Sequence, residues 1–140
     1  MARRAALNHE VPVGAVVVYE GRVVGRGWNR TEARKDSSFH AEMAALKQAS
    51  RILGRWRLTG CTLYVTMEPC AMCAGAMVLA RIDRLVYAAS DPKAGACGSV
   101  FNIVEDPRLN HRMSVVRGIL EKESSEMLKD FFKILRSQRP

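Results

Sequence analysis

Thr62-Leu63-Tyr64-Val65-Thr66-Met67-Glu68-Pro69-Cys70-Ala71-Met72-Cys73 is the stretch on which the fold turns. Its first six residues have the β-branched and aromatic content of a strand. Glu68-Pro69 breaks that strand, because proline lacks the N–H that a sheet ladder needs. Cys70 then opens a helix through about Ala80. Residues at i and i+3 share a helix face, so Cys70 and Cys73 can reach one metal ion. A helix N-terminus also favours thiolate over thiol, the form that binds metal.

Thirty positions upstream of Cys70 stands His40-Ala41-Glu42. The segment from Phe39 to Ala49 is rich in strong helix formers and free of Gly, Pro and β-branched residues. It follows Asp36-Ser37-Ser38, three good N-cap types, so the pattern predicts His40 in the first helical turn. His40, Cys70 and Cys73 make three ligands. That is the number a catalytic zinc keeps while leaving its fourth position to water, whereas a structural zinc is usually closed by four. Zinc lowers the pKa of that water to about 7. Glu42 lies two residues from a ligand, close enough to move protons without coordinating. Taken singly, Cys-x-x-Cys also suits a redox pair. No second such pair completes a zinc finger. Cys61 reads as a small buried hydrophobe, and Cys97, in Gly95-Ala96-Cys97-Gly98, as loop packing. The order H-x-E…P-C-x-x-C is a known signature of zinc-dependent nucleobase deaminases, matched here and not deduced.

Further out, residues 2 to 9 read as a short helix. Val13 to Tyr19 and Arg22 to Trp28 read as strands joined by a hairpin turn at Glu20-Gly21. After the Cys70 helix come a strand near Arg84 to Ala88, a loop from Ser90 to Ser99 and a weak segment near 100 to 106. Val115-Val116 starts a short strand or turn, and a last helix spans about 121 to 137. Strands alternating with helices imply an α/β architecture of three layers, a mixed central sheet flanked by helices on both faces. The chain is expected to form a single domain over residues 1–140.

Hydrophobic residues at 48% with 26% charged fit a soluble globular protein. No apolar run approaches the roughly 20 residues of a membrane span. Met1 to Leu7 lacks the apolar core of a secretory signal. Four cysteines, two of them committed to metal, argue against a disulfide framework and suit a reducing cytoplasm. Lys and Arg number 22 against 14 Asp and Glu, a net charge of +8 that suits a polyanion partner. General solubility is the competing account, since no basic block reaches five residues.

The resemblance runs past the metal motif. Glu10 to Val18, Gly27-Trp28-Asn29-Arg30, His40-Ala41-Glu42, Thr62 to Met77, Asp91-Pro92-Lys93-Ala94-Gly95, Asn110-His111-Arg112 and the closing helix with Phe131-Phe132 resemble the bacterial tRNA-specific adenosine deaminases, within the cytidine deaminase-like superfamily. The resemblance implies hydrolytic deamination of the wobble adenosine of a tRNA anticodon to inosine, with one Zn²⁺ per chain held by His40, Cys70 and Cys73. It implies Glu42 as the proton carrier, and Asn29, Ala41, Asp91, Lys93 and Phe132 as substrate-binding positions. It also implies a cytoplasmic homodimer in which the Cys70 helix packs near the partner's site. The bland readings stand beside these: Asn29 and Asp91-Pro92-Lys93 suit ordinary turns, and Phe132 suits core packing.

Two stretches depart from the family pattern. Only Ala2 to Asn8 precedes Glu10-Val11-Pro12-Val13-Gly14, where the family has a longer first helix, as in a shortened, compact or engineered member. Ser37-Ser38-Phe39 stands before His40, where small residues are usual, so the Phe39 ring is expected either at the pocket mouth or in the core. Two other functions fit the same ligands. One is a deaminase of another base or strand, such as single-stranded DNA adenine or cytosine, or free guanine or cytosine. The other is a non-catalytic, zinc-stabilised RNA-binding subunit, against which Glu42 argues.

Overall fold

The computed structural model describes residues 1–140, and one five-stranded sheet organises them. In chain order the elements are α1 (Ala2–Leu7), β1 (Gly14–Tyr19), β2 (Arg22–Trp28), α2 (Thr31–Arg34), α3 (Ala41–Leu53), β3 (Cys61–Met67), α4 (Ala71–Leu79), β4 (Arg84–Ala89), β5 (Ser114–Arg117) and α5 (Glu121–Ser137). The strand order is β2-β1-β3-β4-β5. β1 runs antiparallel to both β2 and β3, whereas β3, β4 and β5 are mutually parallel. The mixed sheet is therefore as expected.

The hairpin turns at Glu20 and Gly21, whose φ values of 49° and 74° suit the tight turn that matches strand twist. Val17 pairs with Gly25 and Val18 with Val23, so Val24 is an extra residue that bulges β2. α3 and α4 cover one face of the sheet. On that face Ala15 pairs with Gly27, and a Cβ at Gly27 would collide with the Ala41 carbonyl in the first turn of α3. α1 and α5 cover the other face, where the Ser124 hydroxyl on α5 donates to the Thr66 carbonyl of β3. Leu58, Leu63, Met77, Ile82 and Leu85 are fully buried in the core. Each such side chain contributes about 1.5–3 kcal/mol by leaving water.

Three local expectations need correction. His40 is the N-cap of α3, with extended backbone (φ −80°, ψ 156°), and not a first-turn residue. Asp36, expected among the cap residues of that helix, instead closes its own turn by accepting from the Ser38 N–H and hydroxyl. The weak segment near 100 to 106 carries only an isolated bridge, between Cys97 and Asn102, as its reading allowed. Finally, α2 lies where a simple turn was expected. The buried Glu10 carboxylate accepts from the N–H groups of Glu32 (3.2 Å) and Ala33 (2.7 Å), satisfying donors that a helix start leaves free.

The topology collects several chain segments at one sheet edge. β3 and β4 end there, β1 begins there, and β2, antiparallel to β1, ends there. The carboxyl ends of parallel strands are where open α/β sheets place their ligands.

Candidate active site

At that edge the strand ends and two helix N-termini enclose a cavity of about 230 Å³. Val13 before β1, Asn29 after β2, Met67 and Glu68 after β3 and Asp91 after β4 contribute walls, and His40, Ala41, Glu42 and Cys70 complete them. A larger hollow of about 440 Å³ lies on the opposite sheet face between α1 and α5. Its walls are mostly apolar and include no His or Cys, so the chemistry belongs to the smaller cavity.

His40 caps α3 and Cys70 caps α4, so both ligands sit where helix dipoles favour negative charge. The His40 Nδ1 lies 3.6 Å from the Cys70 Sγ and 3.5 Å from the Cys73 Sγ. All three ligand atoms fall within 4.8 Å of one another. A tetrahedral zinc with Zn–S near 2.3 Å and Zn–N near 2.0–2.1 Å would separate nitrogen and sulfur by about 3.6 Å. Both nitrogen–sulfur separations therefore match a tetrahedral zinc. The Cys73 thiol and His40 beside it hold the Cys70 thiol down to about 3. Cys73 moves up in exchange, through the neighbouring Cys70 sulfur and its own burial. The three groups thus share protons that a divalent cation would replace. The Cys70 sulfur also raises His40, with Glu42 adding to the effect.

Glu42, in the first turn of α3, is only 3% exposed, and burial pushes its carboxyl above the usual carboxylate range. A buried carboxyl beside the His40/Cys70/Cys73 cluster, on the wall of a cavity, is placed to exchange protons with what the cavity holds. Cys61 and Cys97 are fully buried, and burial pushes both thiols up.

The other sequence-derived positions divide. Asn29, Ala41 and Asp91 line the cavity with the ligands and Glu42. Lys93 does not: its backbone N–H donates to the Asp91 carboxylate at 3.0 Å, as does that of Ala94 at 3.2 Å. Phe132 lies on α5, 39% exposed, edge-on to Phe131 with ring centroids 5.4 Å apart, and forms no part of the cavity wall. Phe39 takes neither expected position. Its half-buried ring stacks against the guanidinium groups of Arg30 (5.3 Å) and Arg34 (5.2 Å), and Arg30 in turn covers Trp28 at 4.3 Å.

Sequence reasoning missed Glu68. It is 3% exposed, lines the cavity, and accepts from the N–H groups of Asp91 (3.0 Å), Cys97 (3.0 Å) and Ser99 (3.1 Å) and from the Ser99 hydroxyl (2.5 Å). Burial opposes its ionisation, but these four donors outweigh it and hold the carboxyl below its ordinary value. The one signal available was an acidic residue between a strand end and Pro69-Cys70.

The MafB19-like deaminase family matches residues 1–136. The tRNA-specific adenosine deaminase of Bacillus subtilis (strain 168) is 46% identical over 138 residues, covering 99% of this chain and 86% of that protein. That of Aquifex aeolicus (strain VF5) is 49% identical over 136 residues, covering 97% and 89%. Among solved structures, one from biochemical and structural studies of A-to-I editing by tRNA:A34 deaminases at the wobble position of transfer RNA superposes with a TM-score of 0.87. It is 48% identical and covers 91% of this chain and 92% of that one.

Proposed function

Because this chain belongs to the MafB19-like deaminase family, we propose that it deaminates adenosine to inosine in RNA, at the wobble position of a tRNA anticodon. The observation that carries this reading is a buried carboxyl, Glu42, beside a three-ligand His40/Cys70/Cys73 cluster in a cavity of single-base size. The tRNA-specific adenosine deaminases that match nearly the whole chain support the choice of base and strand.

His40, Cys70 and Cys73 would hold one zinc, which when bound supplies a Lewis acid that makes water nucleophilic at neutral pH. Water adds to C6 of adenine, ammonia leaves, and inosine remains. Glu42 takes the water's first proton and passes it to ring N1, then carries the remaining proton of the added hydroxyl to the departing amine, so that C6 becomes a carbonyl and ammonia leaves. Its burial suits this work, since a carboxyl with a raised pKa holds a proton more firmly between transfers than an exposed one. The Asn29 amide reads the edge of the flipped base, with Ala41 and Asp91 forming the adjoining walls. Lys93 and Phe132, outside the cavity, contact the RNA beyond the target nucleotide. The net charge of +8 supports a phosphate-rich partner. A purely structural zinc site would have no use for Glu42.

Residues 1–140 act as one domain, and the protein works as a cytoplasmic homodimer. Apolar side chains exposed on α4 and in the loop between β4 and β5 support association: Leu79 is 70% exposed, Phe101 56% and Val100 48%. Sedimentation showing only monomer at micromolar concentration would reject the dimer. No helix is long and apolar enough to cross a membrane.

The test of the reaction uses matched hairpins carrying a single A or C in the loop, as RNA and as DNA. Inosine confined to the RNA hairpin is the expected result. Uracil, or a dominant DNA signal, would assign the same site to another substrate.

A further inference from the structure

Glu68 looks at first like a second proton carrier, because its carboxylate is buried in the cavity wall as Glu42 is. Its hydrogen bonds exclude that. An ionised carboxylate offers about four acceptor positions. The Oε1 atom accepts from the Asp91 N–H and the Ser99 hydroxyl, and the Oε2 atom from the N–H groups of Cys97 and Ser99. All four are taken, and every donor comes from the loop between Asp91 and Ser99.

That loop is tied to the metal-ligand turn in other ways. The Ala96 N–H donates to the Pro69 carbonyl at 2.8 Å, and Gly95 bridges to Cys70. A Cβ at Gly95 would collide with the Glu68 carboxyl, so the loop lies directly on that side chain. The Glu68 N–H, for its part, donates to the Ala89 carbonyl at the end of β4, at 2.8 Å. The only member of the loop on the cavity wall is Asp91, whose Oδ1 accepts from the Lys93 and Ala94 amides.

We propose that Glu68 is a positioning residue: its carboxylate fixes the 91–99 loop, and so the Asp91 wall of the cavity, against the turn that carries Cys70. It acts through Asp91 and the loop backbone, not on the reacting atoms. The consequence for substrate rests on the reading of the cavity as a nucleotide pocket; the consequence for the loop does not.

Glu68→Gln replaces one acceptor oxygen with an NH₂ group and sets a donor against loop donors, leaving buried N–H groups unmet. In the zinc-loaded protein, the amides of Asp91, Cys97 and Ser99 should exchange with deuterium about tenfold faster, a loss of ~1.4 kcal/mol of protection. The KM for the RNA hairpin should rise by about the same factor, with kcat changed less and zinc still at one per chain. The Asp91→Ala/Glu68→Gln double variant should show the KM of Asp91→Ala alone, since the two residues act along one path. Multiplying KM effects, a fall in kcat at constant KM, or undisturbed amide exchange would each overturn the assignment. Should Glu68→Gln not fold, Ser99→Ala removes one donor only. It should move exchange and KM in the same directions by less, and no movement there overturns the proposal equally. If the wild-type protein turns over no hairpin at all, the functional reading falls, and amide exchange still decides for or against Glu68.

Discussion

Replacing Glu42 with glutamine tests the chemistry most directly, because it removes a titrating oxygen while keeping volume in a site that is 3% exposed. The neighbouring Glu68 cannot readily take over the proton. Glu68 has every lone pair engaged by loop donors, whereas Asp91 accepts from the Lys93 and Ala94 amides through Oδ1 alone. General acid–base catalysis contributes about 10²–10⁴. With one residue carrying the proton through each transfer, the upper part of that range applies. A fall in kcat of about 10³–10⁴ corresponds to ~4–5.5 kcal/mol of barrier. Single-turnover deamination of the RNA hairpin measures it, alongside zinc content and hairpin affinity by fluorescence anisotropy, both of which should hold. The same substitution has a second signature. Burial raises the folded-state pKa of Glu42 above its ordinary 4.5. The stability it contributes is therefore complete below that value and is lost as pH rises through the folded-state value. The zinc-free Glu42→Gln protein should gain in melting temperature over zinc-free wild type as pH rises from 4.5 toward 7. Turnover within tenfold of wild type would refute the proton-carrier role, and loss of zinc would mean that Glu42 is a ligand.

Cys73→Ser removes a fully buried ligand, and zinc should fall well below one per chain by metal analysis; adding zinc to chelated wild-type protein should restore stability, by about 4 kcal/mol when free metal exceeds Kd a thousandfold. Gly27→Ala drives a Cβ into the Ala41 carbonyl beside His40 and Glu42, so it should cost about 1–3 kcal/mol in denaturant unfolding and weaken zinc retention; unchanged zinc affinity would uncouple that contact from the site. Met77→Ala, fully buried one turn beyond Cys73, should cost about 2–5 kcal/mol while zinc stoichiometry and hairpin KM stay unchanged at low temperature.

What could be read from the chain alone follows from how short-range each signal is. The β3 strand, the break at Glu68-Pro69 and the α4 start are written in neighbouring residues, and so is the i, i+3 spacing of Cys70 and Cys73. The hairpin at Glu20-Gly21 is equally local, since a two-residue link between strands needs positive φ, which a Gly-containing pair supplies. The three ligands and the mixed α/β layering were legible for the same reason.

Other features depend on partners distant in sequence, and no local pattern announces them. α2 exists because Glu10 reaches across 22 residues to its first amides. His40 became a cap because Asp36 spent its side chain on Ser38. Phe39 left the pocket for two arginines. Cys97, a loop residue by sequence, is buried beneath a strand end, and Glu68 governs a loop 23 to 31 residues away. Sequence by itself determined the His40/Cys70/Cys73 grouping and the alternation of strand and helix, because spacing along a helix or strand is set by backbone geometry. Tertiary structure alone decided which cavity those residues share, that Asn29 and Asp91 join them there, and that Lys93 and Phe132 stand outside. Those outcomes depend on strand order, register and buried hydrogen bonds, which form only when distant segments meet.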